Sequence, residues 1–142
     1  MKVTKIPPET KYFAYQNPNP KELWTGDCTV RCVSIALDIS WEEAYELLVE
    51  EGKRLYTVMS NMDCVEEVLK KNGFIRIPIS VRKGQRRPTM RKLLAKPEYK
   101  NCVLVGRATH HVMTARDGKV RDTWNSSERP LYKFYCKAQT PK

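Results

Sequence analysis

A chain of 142 residues has room for one core and little more, and 41% apolar with 30% charged residues excludes a disordered polymer. At that length roughly two-thirds of the unfolded surface can be buried, so the fold needs no disulfide or metal staple. The net charge of +10 attracts nucleic acid, acidic proteins or anionic surfaces without selecting among them.

No stretch is long and apolar enough to span a bilayer. Residues Met1 to Pro8 include Lys2 and Lys5 but lead into no apolar h-region, so no signal peptide is expected and the protein reads as cytoplasmic. The five cysteines, Cys28, Cys32, Cys64, Cys102 and Cys136, are an odd number without a secretory signal and point to reduced thiols. Cys28 and Cys32 stand near one another, yet no second close pair and no His pair accompanies them. Neither structural zinc nor any cofactor is expected.

In chain order, residues 1–20 read as an irregular N-terminal arm of a single domain, because Pro7, Pro8, Pro18 and Pro20 discourage a helix. A first helix begins after Asp27, a good N-cap, with Val30, Val33, Ala36 and Leu37 at helical spacing. Ser40 and Glu43 form a capping box for a second helix with Trp41, Ala44, Leu47 and Leu48 on its apolar face. A third helix covers about 62–71, with Val65, Val68 and Leu69 inward and Gly73 as its stop. The period then changes. Phe74 to Val81 read as a strand, Thr89 to Lys96 as a short capped helix, and Asn101 to Gly106 as a buried strand. Two strands flank the Asp117-Gly118 turn, and Leu131 to Cys136 supply the last. Helices precede an antiparallel sheet, an α+β order.

Cys28 falls at the first position after the expected N-cap. Unpaired backbone N–H groups and the helix dipole stabilise a thiolate there, which is the competent nucleophile. The hairpin supplies two partners. A two-residue turn at Asp117-Gly118 sets Thr114 opposite Arg121, Met113 opposite Asp122 and His111 opposite Trp124. Side chains alternate by face, so His111 and Asp122 become diagonal neighbours at roughly 5–7 Å between Cβ atoms. A carboxylate there accepts the imidazole N–H and fixes the tautomer offered to a nucleophile. His110 points the other way. The bland alternative is a half-buried strand histidine, a surface acid and a cysteine used as apolar filler.

The run Thr25-Gly26-Asp27-Cys28-Thr29-Val30-Arg31-Cys32, followed by Ser40-Trp41-Glu42-Glu43-Ala44-Tyr45, resembles the cysteine helix and second helix of small papain-like cysteine peptidases from phages and bacteria. These are similar in outline to the peptidase domains of bacteriocin exporters. Their C-terminal signature, a histidine, an Asp-Gly turn and an Asp-Thr-Trp or Asp-Thr-Tyr, matches His111, Asp117-Gly118 and Asp122-Thr123-Trp124. The resemblance covers about 24–136. It implies a papain-like α+β fold with Cys28 as nucleophile, His111 as general base and Asp122 as orienting acid. Where papain-like enzymes place an oxyanion-hole Gln, this chain carries Glu22, so Gln16, Asn17 or Asn19 would have to reach in instead.

Trp24 and Trp124 are expected to wall the cleft and shield the His–carboxylate pair. Arg31 reads as a partner for Asp27 or for a substrate carboxylate. Arg82, Lys83, Arg86, Arg87 and Arg91 make the densest basic patch, either a solvated loop or a site for phosphates or an acidic partner. Two functions follow. One is a cysteine peptidase or isopeptidase working through a thioacyl intermediate on a peptide or protein substrate; amidase, deamidase or transglutaminase chemistry would use the same residues. The other is a catalytically silent basic protein that binds nucleic acid or an acidic host factor. A homo-oligomer using the second helix's apolar face is a third reading.

Overall fold

The computed structural model of the chain describes residues 5–139. Its N-terminal half is helical because apolar side chains there recur at helical spacing: α1 covers Cys28–Leu37, α2 Trp41–Leu55 and α3 Met62–Lys71. Ser40 accepts from the Glu43 N–H to start α2, and Asn61 accepts from Asp63 to start α3. The α3 exit runs through Gly73 at φ 88°, a left-handed conformation that suits glycine.

The strands are β1 (Phe13–Tyr15), β2 (Ile75–Ile77), β3 (Cys102–Ala108), β4 (His111–Arg116), β5 (Lys119–Asp122) and β6 (Lys133–Ala138). They form a six-stranded sheet in the order β1-β5-β4-β3-β6-β2. The architecture is therefore α+β. Two expectations need correction. The sheet is mixed, because β1 runs parallel to β5 with Phe13 opposite Val120 and Tyr15 opposite Asp122. The strand β1 also lies inside the segment read as irregular. Its prolines restrict only their own neighbourhoods, and Phe13 and Ala14 are buried once β5 is in place.

The strand expected over 74–81 shrinks to Ile75–Ile77, an edge strand in which Ile75 and Arg76 are exposed and Ile77 packs half-buried against a core, while Phe74 turns into the core. A short helix α4 (Met90–Leu94) begins at Thr89, whose hydroxyl accepts from the Lys92 N–H, and it ends before the expected Lys96. The strand β6 starts two residues later than expected, because Leu131 is used as a core side chain.

The sheet has a core on each face. Helices α1, α2 and α3 bury Val33, Leu48, Val65 and Leu69 against Val103, Val105 and Tyr135. On the opposite face α4 and the segment before β6 bury Met90 and Leu131 against Leu104, Met113, Val120 and Phe13. The first face carries the chemistry, because α1 lies along β4. Thr114 donates to the Cys32 carbonyl at 2.9 Å. Arg116 donates to the Ile35 and Ala36 carbonyls at 3.1 and 2.9 Å, near the helix's C-terminal end. Helix and strand thus run in the same sense, which brings Cys28 at the start of one to His111 at the start of the other.

Candidate active site

The β4–β5 ladder pairs Thr114 with Arg121, Ala115 with Val120 and Arg116 with Lys119, the register expected from a two-residue turn. His111 and Asp122 lie just beyond these pairs, and their side chains meet: His111 Nε2 stands 2.7 Å from Asp122 Oδ2. That leaves Nδ1 for Cys28, which lines the same cleft and whose charge acts on the imidazole. The Trp124 ring covers the imidazole with centroids 4.8 Å apart.

Asp122 is only 1% exposed, and every acceptor position on its carboxylate is used. Oδ1 accepts from Arg31 Nη1 and from the Thr123 N–H, each at 2.7 Å. Oδ2 accepts from Ser126 Oγ at 2.6 Å as well as meeting His111. Burial alone would raise its pKa, but the hydrogen bond and charge of His111, Ser126 and the Arg31 cation hold it below the usual carboxylate range.

Arg31 carries the network further. Its Nε donates to Asp27 Oδ1 at 2.9 Å, so one guanidinium spans two carboxylates in a buried setting. Asp27 sits at the N-cap of α1, yet its side chain makes no cap hydrogen bond. Its other oxygen accepts from Trp41 Nε1 at 3.0 Å and from Asn19 Nδ2 at 3.3 Å. The charged partner within reach outcompetes the backbone cap. Burial would lower the Arg31 pKa, but Asp122 and Asp27 raise it.

These charges set the ionisation of Cys28. Burial pushes its thiol up, but the hydrogen bond with His111, a hydrogen bond from the Val112 backbone, and the charges of His111 and Arg31 bring it below the ordinary thiol value. For His111, burial lowers the pKa, while hydrogen bonds to Asp122 and Cys28 and their charges raise it to about 9. Opposite shifts in the two partners favour a thiolate–imidazolium pair. Cys32, one turn on, is the contrast: burial pushes its thiol up to about 12.

A cleft of about 330 Å³ opens at Cys28. Thr29, Ser60 and Met62 line its helical wall, and Arg107, His110 and His111 the other. His110, expected to point away, reaches the cleft because it sits in the β3–β4 turn at φ 55° and not in the alternating strand. The other expected site residues stand elsewhere. The Asn17 amide donates to the Leu23 carbonyl at 3.1 Å, and Asn19 is committed to Asp27 and to the Lys21 N–H. Both amides fold the 17–23 loop onto α1 instead of lining the cleft. Gln16 is exposed, its backbone N–H bonded to the Asp122 carbonyl at 3.0 Å. Glu22 is an exposed turn residue at φ 54°, and neither Trp24 nor Trp124 lines the cleft.

Of the basic patch, Arg86, Arg87 and Arg91 join Lys92 around a separate groove, while Arg82 and Lys83 are exposed residues outside it. Among the described residues no three His, Cys, Asp or Glu side chains gather as metal ligands, and no helix is long and apolar enough to cross a membrane.

Sequence reasoning missed three supports of the site. The Arg31 contact to Asp122 spans 91 positions and leaves no local signal. Ser126 lies in an Asn-Ser-Ser loop with no pattern to mark it. Trp41 was read as core, and only its indole N–H, reaching back to Asp27, says otherwise. Against known protein families, curated proteins and solved structures, the chain finds no match.

Proposed function

We propose that the protein is a papain-like cysteine hydrolase, a peptidase or isopeptidase with Cys28 as nucleophile, His111 as general acid–base and Asp122 as the orienting carboxylate. The observation that carries the reading is His111, 2.7 Å from Asp122, lining one open cleft together with the Cys28 thiol. The Cys28 sulfur attacks the acyl carbon, its electron pair forms the C–S bond, and the carbonyl electrons move to oxygen. The backbone N–H of Cys28, at the first position of α1, has no intrahelical partner and would be one donor to that oxygen. Collapse of the adduct breaks the C–N bond, and the His111 imidazolium protonates the departing amine. Neutral His111 then takes a proton from water as it attacks the thioester. The acid leaves, and the imidazolium–thiolate pair is restored.

The test is acyl transfer from p-nitrophenyl acetate. One equivalent of nitrophenolate should be released in a burst, with one acetyl group found on the Cys28 peptide, and Cys28→Ala should abolish both. An equal burst in Cys28→Ala, or no acetyl group at Cys28, contradicts the reading.

A second reading, the catalytically silent basic binder, is favoured by the groove of about 430 Å³ among Arg86, Arg87, Arg91 and Lys92. Glu128 is the one acid on its wall, and the Arg87 guanidinium stacks 4.2 Å over the Tyr132 ring. Such a groove suits the phosphates of a nucleic acid or an acidic protein segment, with affinity that falls steeply as salt rises.

A further inference from the structure

The cleft beside Cys28 has an uneven charge. No acidic side chain lines it, whereas Arg107 stands on its strand wall together with the two histidines. Arg107 is half-buried on β3, paired in register with Val112 of β4 and Lys133 of β6. It makes no ion pair among the described residues. Glu66 and Arg107 both act on the Tyr135 hydroxyl through their charges. Glu66 is already engaged: Tyr135 donates to it at 2.9 Å, and Arg76 and Lys70 stand 3.7 and 4.0 Å from the same oxygen. Arg107 therefore lines the cleft as a cation that no carboxylate of the described residues pairs with.

His110 adds to this. It occupies the second position of the two-residue turn between β3 and β4 at φ 55°, a left-handed conformation that is strained for a residue with a Cβ. Strain of this kind persists where the surroundings enforce it, and here it sets an imidazole at the mouth of the cleft. Ser60, across the cleft, contributes a neutral hydroxyl.

We propose that this cleft selects acyl substrates bearing a carboxylate side chain next to the reacting carbonyl, a glutamyl or aspartyl residue, with Arg107 as the recognising cation and His110 at its rim. The assignment rests on the cysteine-hydrolase reading and names its substrate class. A planar guanidinium takes a carboxylate through two parallel N–H bonds, which sets the acid's direction as well as its charge. A volume of about 330 Å³ suits one side chain with its backbone, at the small end of ligand sites.

The test uses two electrophiles that differ only in charge, the chloromethyl ketones of N-acetyl-glutamate and N-acetyl-glutamine, which put the reactive carbon on the residue's own carbonyl. Each forms an S–CH₂ bond to Cys28 as chloride leaves, and peptide mass analysis reads the rate at that residue. In the native protein the glutamate probe should react at least about tenfold faster, the size expected of a charge-assisted hydrogen bond. Arg107→Gln should bring the ratio near one. Arg107→Lys, which keeps the charge and loses the fork, should fall between, and it serves if the glutamine variant does not fold. A native ratio at or below one overturns the proposal. So does a ratio that Arg107→Gln and Arg107→Lys leave unchanged, since the overall charge would then be its source. Failure of the hydrolase reading looks different: Cys28 would not react with neutral iodoacetamide as a His111-dependent thiolate. If it does so while the probe ratio is flat, only the substrate class is wrong; if Cys28 reacts with nothing, both fall.

Discussion

Arg31 divides one guanidinium between Asp27 and Asp122, and both acids are almost fully removed from water. A cation in that position neutralises two buried carboxylates and aims one of them at His111. Removing one member of such a set leaves charge buried without a partner, which costs about 3–5 kcal/mol. Arg31→Met should therefore lower the unfolding free energy by about that amount in urea titrations. A loss below about 1 kcal/mol would mean that the two carboxylates find water or protons at little cost, and that the network does not hold the site. The pairing with Asp27 was readable in advance, because residues four apart share a helix face. The pairing with Asp122 was not, because it exists only once α1 has docked on β4 and β5.

At the scale of elements, the site depends on how α1 is set along β4 and on how tightly the other face of the sheet is closed. Thr114 and Arg116 bind carbonyls of α1 at two successive turns, which fixes the helix lengthwise. On the opposite face Gly106 of β3 leaves room that Met90 and Leu131 fill. A Cβ at that position would stand 2.8 Å from Leu131 Cδ2 and 2.9 Å from Met90 Cε. Gly106→Ala should therefore destabilise the protein by about 1–3 kcal/mol, as overpacking does, although alanine suits a strand better than glycine. A melting temperature equal to or above the native one would show that α4 and Leu131 yield, and that this face is looser than described. The helices and the β4–β5 register were legible, because helical spacing, the Ser40 cap and the Asp117-Gly118 turn are local signals. The parallel pairing of β1 with β5 was not. It joins Phe13 to Val120 across most of the chain, and three residues carry too little alternation to announce a strand.

Over the whole molecule, a chain of net charge +10 gathers its cations unevenly. The cleft holds Arg107 and His110 beside Cys28, and the groove at Arg86, Arg87, Arg91 and Lys92 opens separately. The positive field favours a thiolate at Cys28, but the local geometry decides which cysteine benefits. Cys32 and Cys136 are both pushed up to about 12, chiefly by burial, while Cys28 goes down. That Cys28, His111 and Asp122 come together was legible from a helix start and a hairpin register. The path of 16–23 was not, since it is set by Asn17 and Asn19 bonding within their own loop and to Asp27, which keeps both amides out of the cleft.

The central claim is that Cys28 and His111 share a proton and exist as an ion pair near neutral pH. The Cys28 thiol is lowered and the His111 imidazolium is raised to about 9, so the pair is charged between the first ionisation and the second. Below that window the thiol is protonated, and above it the imidazolium is lost. The most direct measurement is the pH dependence of iodoacetamide labelling, cysteine by cysteine, in the native protein and in His111→Ala. The account predicts that Cys28 labels with a midpoint below the ordinary thiol value of about 8.5, ahead of Cys32 and Cys136, and that His111→Ala moves the midpoint upward. Native Cys28 that titrates as an ordinary thiol, or a midpoint that stays put without His111, would contradict it.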